Sequence, residues 1–215
     1  MSVAAPSSRS PDLVLVNAPL HGDGVPGGVY PSLSNLALGS FLGERGLGVA
    51  LLDPGVDLEL DLGRRPGPGD PPQVAGSPAS AELPGGGPGA AAVLEATALR
   101  VVELRPRLLG ISTMGAAEGR FALALARRVR SLVPELPIAL GGSWADGAAG
   151  SVLARFPWID AVGRGPAELS LASLLEDPGP APGPAAAARA GWFARHPGWT
   201  VRSDGDGPAR DSGPT

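Results

Sequence analysis

The chain has 215 residues, of which 33 are glycine and 25 proline, and a formal net charge of -4; that length suits one domain with appendages, or at most two small ones. With no cysteine, disulfides, thiolate metal sites, an iron-sulfur cluster held by this chain and a cysteine nucleophile are all excluded. The 17 basic residues are all arginine and are scattered along the chain, so there is no basic stripe and no nucleic-acid partner is expected.

Residues 1-11 are polar and lack the apolar core of a secretion signal, and no apolar run reaches the ~18 residues needed to span a bilayer. A disordered N-terminus on a cytoplasmic protein without a membrane partner is the expectation. Leu13 to Val16 is a short β-type run that Asn17-Ala18-Pro19 stops, and it reads as the first strand. The loop from His21 to Val29 is rich in glycine, and Pro31-Ser32 then opens a helix with Leu33, Leu36, Ala37 and Phe41 on one face, ended by Gly46. Val49 to Leu52 is the second strand, with Asp53-Pro54 at its carboxyl end. Residues 63-89 are almost wholly Pro, Gly, Ala, Ser and Asp, which bury too little apolar surface to offset the entropy of ordering, and they are expected to form a disordered insertion. A helix from about Ala91 to Arg105 carries Leu94, Ala98, Val101 and Val102 on one side, and Pro106 closes it.

Leu108 to Met114 is the central strand. It is apolar around Gly110 and turns polar only at Ser112 and Thr113, as expected of a strand covered on both faces and emerging at its carboxyl end. A similar stretch, Pro137 to Gly142, ends in paired glycines, and the two together propose a crevice lined by Ser112, Thr113, Gly141, Gly142 and Ser143. Between them, a helix from about Ala116 to Val133 puts Ala122, Leu125, Ala126, Val129, Leu132 and Val133 at helical spacing and leaves Arg120, Arg127 and Arg130 for solvent. A short helix over Gly147 to Phe156, a fifth strand over Trp158 to Val162, and a last helix after Pro166 with Leu169, Leu171, Leu174 and Leu175 complete the pattern. From Asp177 the composition returns to Pro, Ala and Gly. Trp192, Phe193 and Trp199 stand too far apart there to form a core, so 177-215 reads as a linker or tail.

Strands alternating with helices argue one α/β domain over 12-176. Its expected form is a doubly wound, flavodoxin-like sheet of five parallel strands in the order 2-1-3-4-5, with helices on both faces. Ligands of such sheets bind at the carboxyl ends of the strands.

Three ligand types compete for that position. Gly22, Gly24 and Gly27 fit G-x-G-x-x-G, with Asp53 placed for a ribose, which would suit a nucleotide or flavin. However, Pro26, Gly27 and Gly28 delay the helix to about Pro31, so no helix N-terminus meets a pyrophosphate. A phosphoacceptor receiver is excluded, because Asn17 and Ser112 stand where it needs acids and the chain has no lysine. The third type rests on ordered blocks: Pro11-Asp-Leu-Val-Leu-Val-Asn-Ala-Pro19, Tyr30-Pro31, Val49-Ala-Leu-Leu-Asp53, Arg105 to Met114, Leu136-Pro-Ile-Ala-Leu-Gly-Gly-Ser-Trp144 and Phe156 to Gly165. In that order they resemble the cobalamin-binding domain of cobalamin-dependent radical S-adenosylmethionine enzymes, over about residues 12-176.

The resemblance implies cobalamin as cofactor, with the corrin laid over the strand ends and the nucleotide tail threaded into a slot between strands. It places Asn17, Pro19, Tyr30, Gly110, Ser112, Thr113, Met114, Gly141, Gly142, Ser143, Gly163 and Gly165 at the cofactor, the glycines giving room and the hydroxyls hydrogen bonds. His21 and Gly24 form H-x-x-G, the spacing at which many cobalamin domains ligate cobalt. Pro19 occupies the place of the aspartate that would orient the imidazole, so His21 reads as a solvated loop histidine and no metal ligand is expected. Where the family often has Gly-Glu-Gly-Glu, this chain has Gly165-Pro-Ala-Glu168. The family's C-x-x-x-C-x-x-C cluster motif is missing, so no catalysis is expected of this chain alone and a radical S-adenosylmethionine catalytic domain or subunit is the expected partner. The alternatives are a ligand-free interaction module that keeps only the fold, and the nucleotide or flavin binder.

Overall fold

The computed structural model of the protein describes residues 10-19, 32-54, 88-180, 186-203 and 209-213. The elements are β1 (Leu13–Asn17), α1 (Leu33–Gly43), β2 (Val49–Leu52), α2 (Pro88–Leu104), β3 (Leu108–Ser112), α3 (Ala116–Leu132), β4 (Ile138–Gly141), α4 (Ser143–Arg155), β5 (Ala161–Gly163), α5 (Ala167–Glu176), α6 (Ala186–Ala194), β6 (Trp199–Val201) and β7 (Arg210–Asp211). They form one sheet in the order β2-β1-β3-β4-β5-β6-β7. The first five strands are parallel in the expected order, and β6 and β7 continue the sheet antiparallel.

Alternation along the strands sorts the core into two layers, because successive side chains point to opposite faces. Val14, Val16, Leu109, Ile111, Ile138, Leu140 and Val162 share one cluster with apolar residues of α2, α3 and α4. Leu13, Leu15, Leu108, Ala139, Ala161, Trp199 and Val201 share the other, with α1, α5 and α6.

Four expectations need correction. The sheet has seven strands and not five, because the stretch after Asp177 is folded: Trp192 and Phe193 are wholly buried and Trp199 nearly so. These rings pack against one another at tilted angles, with Trp192 5.2 Å from Phe193 and Phe193 5.0 Å from Trp199 between centroids. The next correction concerns α1, which buries Asn35, Leu38 and Leu42 while Leu33, Leu36 and Ala37 face out and Phe41 is half-buried. The helix is apolar nearly all round, so two stripes satisfy the same period and the spacing alone could not choose. Third, α2 starts at Pro88, a residue suited to a first helical position, so the end of the expected insertion is helical; residues 63-87 lie outside the described residues.

The fourth correction is Arg130, which is not left to solvent. Its Nη2 donates to Asp160 Oδ2 at 2.6 Å, Arg189 Nε donates to Asp160 Oδ1 at 2.9 Å, and the Ile138 N–H donates to Oδ2 at 2.9 Å. Asp160 and Arg189 are buried, so this triad fastens α6 beneath β4 and β5. Breaking such a buried pair from one side costs about 3–5 kcal/mol, because the partner's charge is left without compensation. Burial lowers the Arg130 pKa, and the Asp160 carboxylate opposes that shift. Nearby, Arg107 Nη1 donates to Asp12 Oδ1 at 3.1 Å and to the Leu175 carbonyl at 3.0 Å, joining the amino-terminal ends of β1 and β3 to the end of α5.

Candidate functional site at the carboxyl ends of the strands

The residues of the expected crevice come together here because the register aligns them. Asn17 is opposite Ser112, and Ser112 opposite Gly141, in one row across β1, β3 and β4. Gly163 ends β5 opposite Trp199 of β6. Asn17 Nδ2 donates to Asp53 Oδ2 at 3.1 Å, and the Ala18 N–H donates to the Ser112 carbonyl at 3.1 Å, carrying the ladder past the strand. Pro19 is buried beside them, whereas Tyr30, His21 and the glycines Gly22, Gly24 and Gly27 lie outside the described residues.

Several of the expected ligand-binding groups are instead used by the fold. Thr113 is buried, and both its N–H and its hydroxyl donate to the Gly141 carbonyl at 2.9 Å, which locks the β3 and β4 loops together. Gly142 has φ 91, and a Cβ there would lie 2.1 Å from the Thr113 carbonyl oxygen, so only glycine permits that approach. Ser143 Oγ donates to the Met114 carbonyl at 3.1 Å. The buried carboxylate of Glu118 accepts from the N–H groups of Met114 and Gly115, the latter at 2.6 Å, so the two main-chain donors just ahead of α3 are taken. Gly110 sits deeper in β3, and Leu15 and Leu13 fill the space over it, at 3.2 and 3.4 Å from where a Cβ would be.

Three features are not absorbed in this way. A Cβ on Gly141 would meet nothing within 4 Å, so space adjoins the strand end. Among the described residues the Ser112 hydroxyl has no hydrogen-bond partner. The side chain of Asn35 is buried on the first turn of α1, and its Nδ2 has no partner. Asn35 continues the stripe of Leu38 and Leu42 that packs on the Leu13–Leu15 face, toward the helix N-terminus. In a parallel β-α unit that helix end lies over the carboxyl ends of the strands. Sequence reading missed Asn35 because it took the other stripe as buried, and missed Glu118 although Gly115-x-x-Glu118 has capping-box spacing.

The mouth carries exposed apolar side chains: Leu33 and Leu36 from α1, Met114 from the β3–α3 loop and Leu169 from the first turn of α5. Gly165 is left-handed at φ 64 with open space around it. Arg164 forms an ion pair with Asp146 of α4.

No family model and no curated protein matches this chain. Among the described residues, no three His, Cys, Asp or Glu side chains are grouped to hold a metal, and no helix is long and apolar enough to cross a membrane. His196, which falls in the expected tail, lies between Ser173 Oγ, 3.0 Å from Nδ1, and Asp177 Oδ2, 3.3 Å from Nε2. This trio ties the end of α6 to α5.

Proposed function

We propose that this chain is a cobalamin-binding domain of the flavodoxin-like type that resembles those of radical S-adenosylmethionine enzymes, and that it acts with a separate catalytic domain or subunit. The observation that carries the reading is the buried Asn35 Nδ2, which has no partner, together with the half-buried Ser112 hydroxyl and the free space at Gly141. A buried amide without a partner costs about 1–3 kcal/mol, which is hard to account for unless a ligand supplies the acceptor.

The residues present fit the nucleotide tail of cobalamin. Asn35 Nδ2 can donate to a phosphate or sugar oxygen, and Ser112 can donate or accept beside it. Gly141 leaves the room that a bulky tail needs, while Thr113, Gly142 and Glu118 act one step back by holding the loops that bound the slot. When bound, cobalamin supplies a cobalt centre able to carry a methyl group. This chain's part is to orient the corrin and to screen its lower side from water. The exposed Leu33, Leu36, Met114 and Leu169 around the mouth suit an apolar cover contributed by the catalytic partner.

The test is to incubate the purified chain with hydroxocobalamin, desalt it and record the visible spectrum. A corrin chromophore retained at one per chain is expected, and Ser112→Leu should lose it while the circular dichroism is unchanged. Equal retention by a well-folded Ser112→Leu protein would remove the proposed slot.

A further inference from the structure

The two edges of the sheet are protected to different degrees. β7 ends it on one side with Arg210 and Asp211, both charged and exposed, and a short charged edge discourages further pairing. β2 ends it on the other side with Val49-Ala-Leu-Leu52, which has no charge and no proline, and among the described residues no strand lies beyond it. The Gly48 carbonyl accepts from the Leu13 N–H of β1 at 3.1 Å. Main-chain groups alternate in direction along a strand, so Val49 and Leu51 turn their N–H and C=O groups outward, away from β1.

The helix above β2 is open on the same side. A Cβ on Gly39 would lie 3.5 Å from Leu51 Cδ1, so Leu36 and Gly43, three and four residues away, share the flank of α1 that overlooks β2. α5 packs against α1 as well, but the flank above β2 stays uncovered, with Leu36 43% and Leu51 38% exposed. None of the chain's 17 arginines and 21 acids falls in α1 or β2. A helix that is apolar on its outer as well as its inner side is normally buried on both.

We infer that a second copy of this chain covers this side, with β2 pairing antiparallel to the partner's β2 about a two-fold axis normal to the sheet. The pleat restricts the register. Residues directly opposite in an antiparallel pair point to the same face, so the axis falls on a residue and not between two. The outward main-chain groups and exposed side chain of Leu51 place it there, Leu51 exchanging both hydrogen bonds with the partner's Leu51 while Ala50 stands opposite the partner's Leu52. This axis keeps both α1 helices on one face of the joined sheet, where each covers the other's Leu36 flank. Two features favour a copy over a different protein. The patch is neutral, so it keeps the net charge of -4 on each chain away from the seam. Two-fold pairing also uses every contact twice, which suits a patch of four strand residues and two helical turns. The seam runs along the side of the sheet and leaves the carboxyl ends of the central strands open, so the inference is independent of the cobalamin reading.

The test is sedimentation velocity on the full chain from about 1 to 300 µM, a span suited to a small, weak interface. A monomer–dimer equilibrium with its midpoint at about 10–100 µM is expected. Leu51→Lys, which places a charge on the edge strand, should weaken it about tenfold or more. Leu36→Glu, on the open flank of α1, should weaken it several-fold, and Leu99→Glu, exposed on α2 at the opposite face of the sheet, should leave it unchanged. The chain has no cysteine, so Ser40→Cys on the exposed side of α1 carries a single thiol, and a short bis-maleimide should join two such chains but not two Leu99→Cys chains. Should Leu51→Lys fail to fold, Leu36→Glu and the cross-link decide the matter. A chain that is monomeric throughout the range, a dimer unchanged in either folded variant, or cross-linking through Leu99→Cys in place of Ser40→Cys overturns the inference.

Discussion

At the amino-terminal ends of the strands Asp12 and Asp160 are each gripped by arginine and by a main-chain N–H, whereas at the carboxyl ends the buried Asn35 amide has no partner for its Nδ2 and the half-buried Ser112 hydroxyl has none among the described residues. The first end joins elements far apart in sequence, because Arg107 links β3 to β1 and to the end of α5. At the second end, the contacts stay between neighbouring loops, as in the bonds from Thr113 to Gly141 and from Ser143 to Met114. Charge pairs close the first end, while the second leaves room and hydrogen-bonding capacity beside its loops, as binding sites commonly do.

Asp160→Ala should have the largest effect, a loss of about 3–5 kcal/mol read from urea unfolding, since two arginines lose their partner. Protein that remains folded should bind cobalamin as before; reduced binding at full folding would show that the two ends are coupled. Gly142→Ala comes next, at about 1–3 kcal/mol, because it combines a left-handed φ with a clash against Thr113. It should impair stability and cobalamin retention together, so it reports on loop architecture and not on the slot itself. Asn35→Leu sharpens the comparison most, because the two readouts should move in opposite directions. Removing the orphan amide should raise stability by about 1 kcal/mol in the same urea assay while the corrin spectrum after desalting declines. A destabilised Asn35→Leu protein with normal retention would make Asn35 a structural residue.

The smallest effect is a pH dependence at the join between α5 and α6. The Asp177 carboxyl is held below its ordinary range, first by the Gly179 N–H and then by Arg195 and His196. A lowered folded-state pKa contributes stability that is complete above the ordinary carboxylate value, ~4, and is lost as the pH falls through the folded value. Asp177→Asn should therefore remove a small, acid-sensitive part of the stability and leave the neutral-pH spectrum of bound cobalamin unchanged. A thermal-melt series from pH 3 to 7, chosen to bracket ~4, would read this.

The legible part of the fold follows from burial. β1, β3 and β4 are short apolar runs, buried along almost their whole length and ending in Asn17, Ser112 and Gly141, so both strands and strand ends could be placed from composition alone. What could not be read were pairings across distance. Asp160 meets Arg130 and Arg189 at separations of 30 and 29 residues, and no local pattern marks those three side chains as partners. The aromatic cluster was hidden for the same reason: Trp192 and Phe193 are adjacent, but Trp199 reaches them only after a turn through Gly198, in a stretch whose glycine and proline content argues against a core. At the site, the sequence showed which residues meet but not which are already occupied. That Thr113 is spent on a carbonyl and Ser112 is not depends on side-chain direction.

The antiparallel addition of β6 to β5 also decides where the folding unit stops. Without it, β5 would present its backbone donors and acceptors, beside an uncovered Ala161 and Leu171, as a template for any passing strand. The stretch beyond Asp177 thus acts as a guard against aggregation. A chain shortened to the five parallel strands would trade intramolecular pairing for pairing with its own copies, and the boundary of the autonomous unit lies at least as far along as Val201.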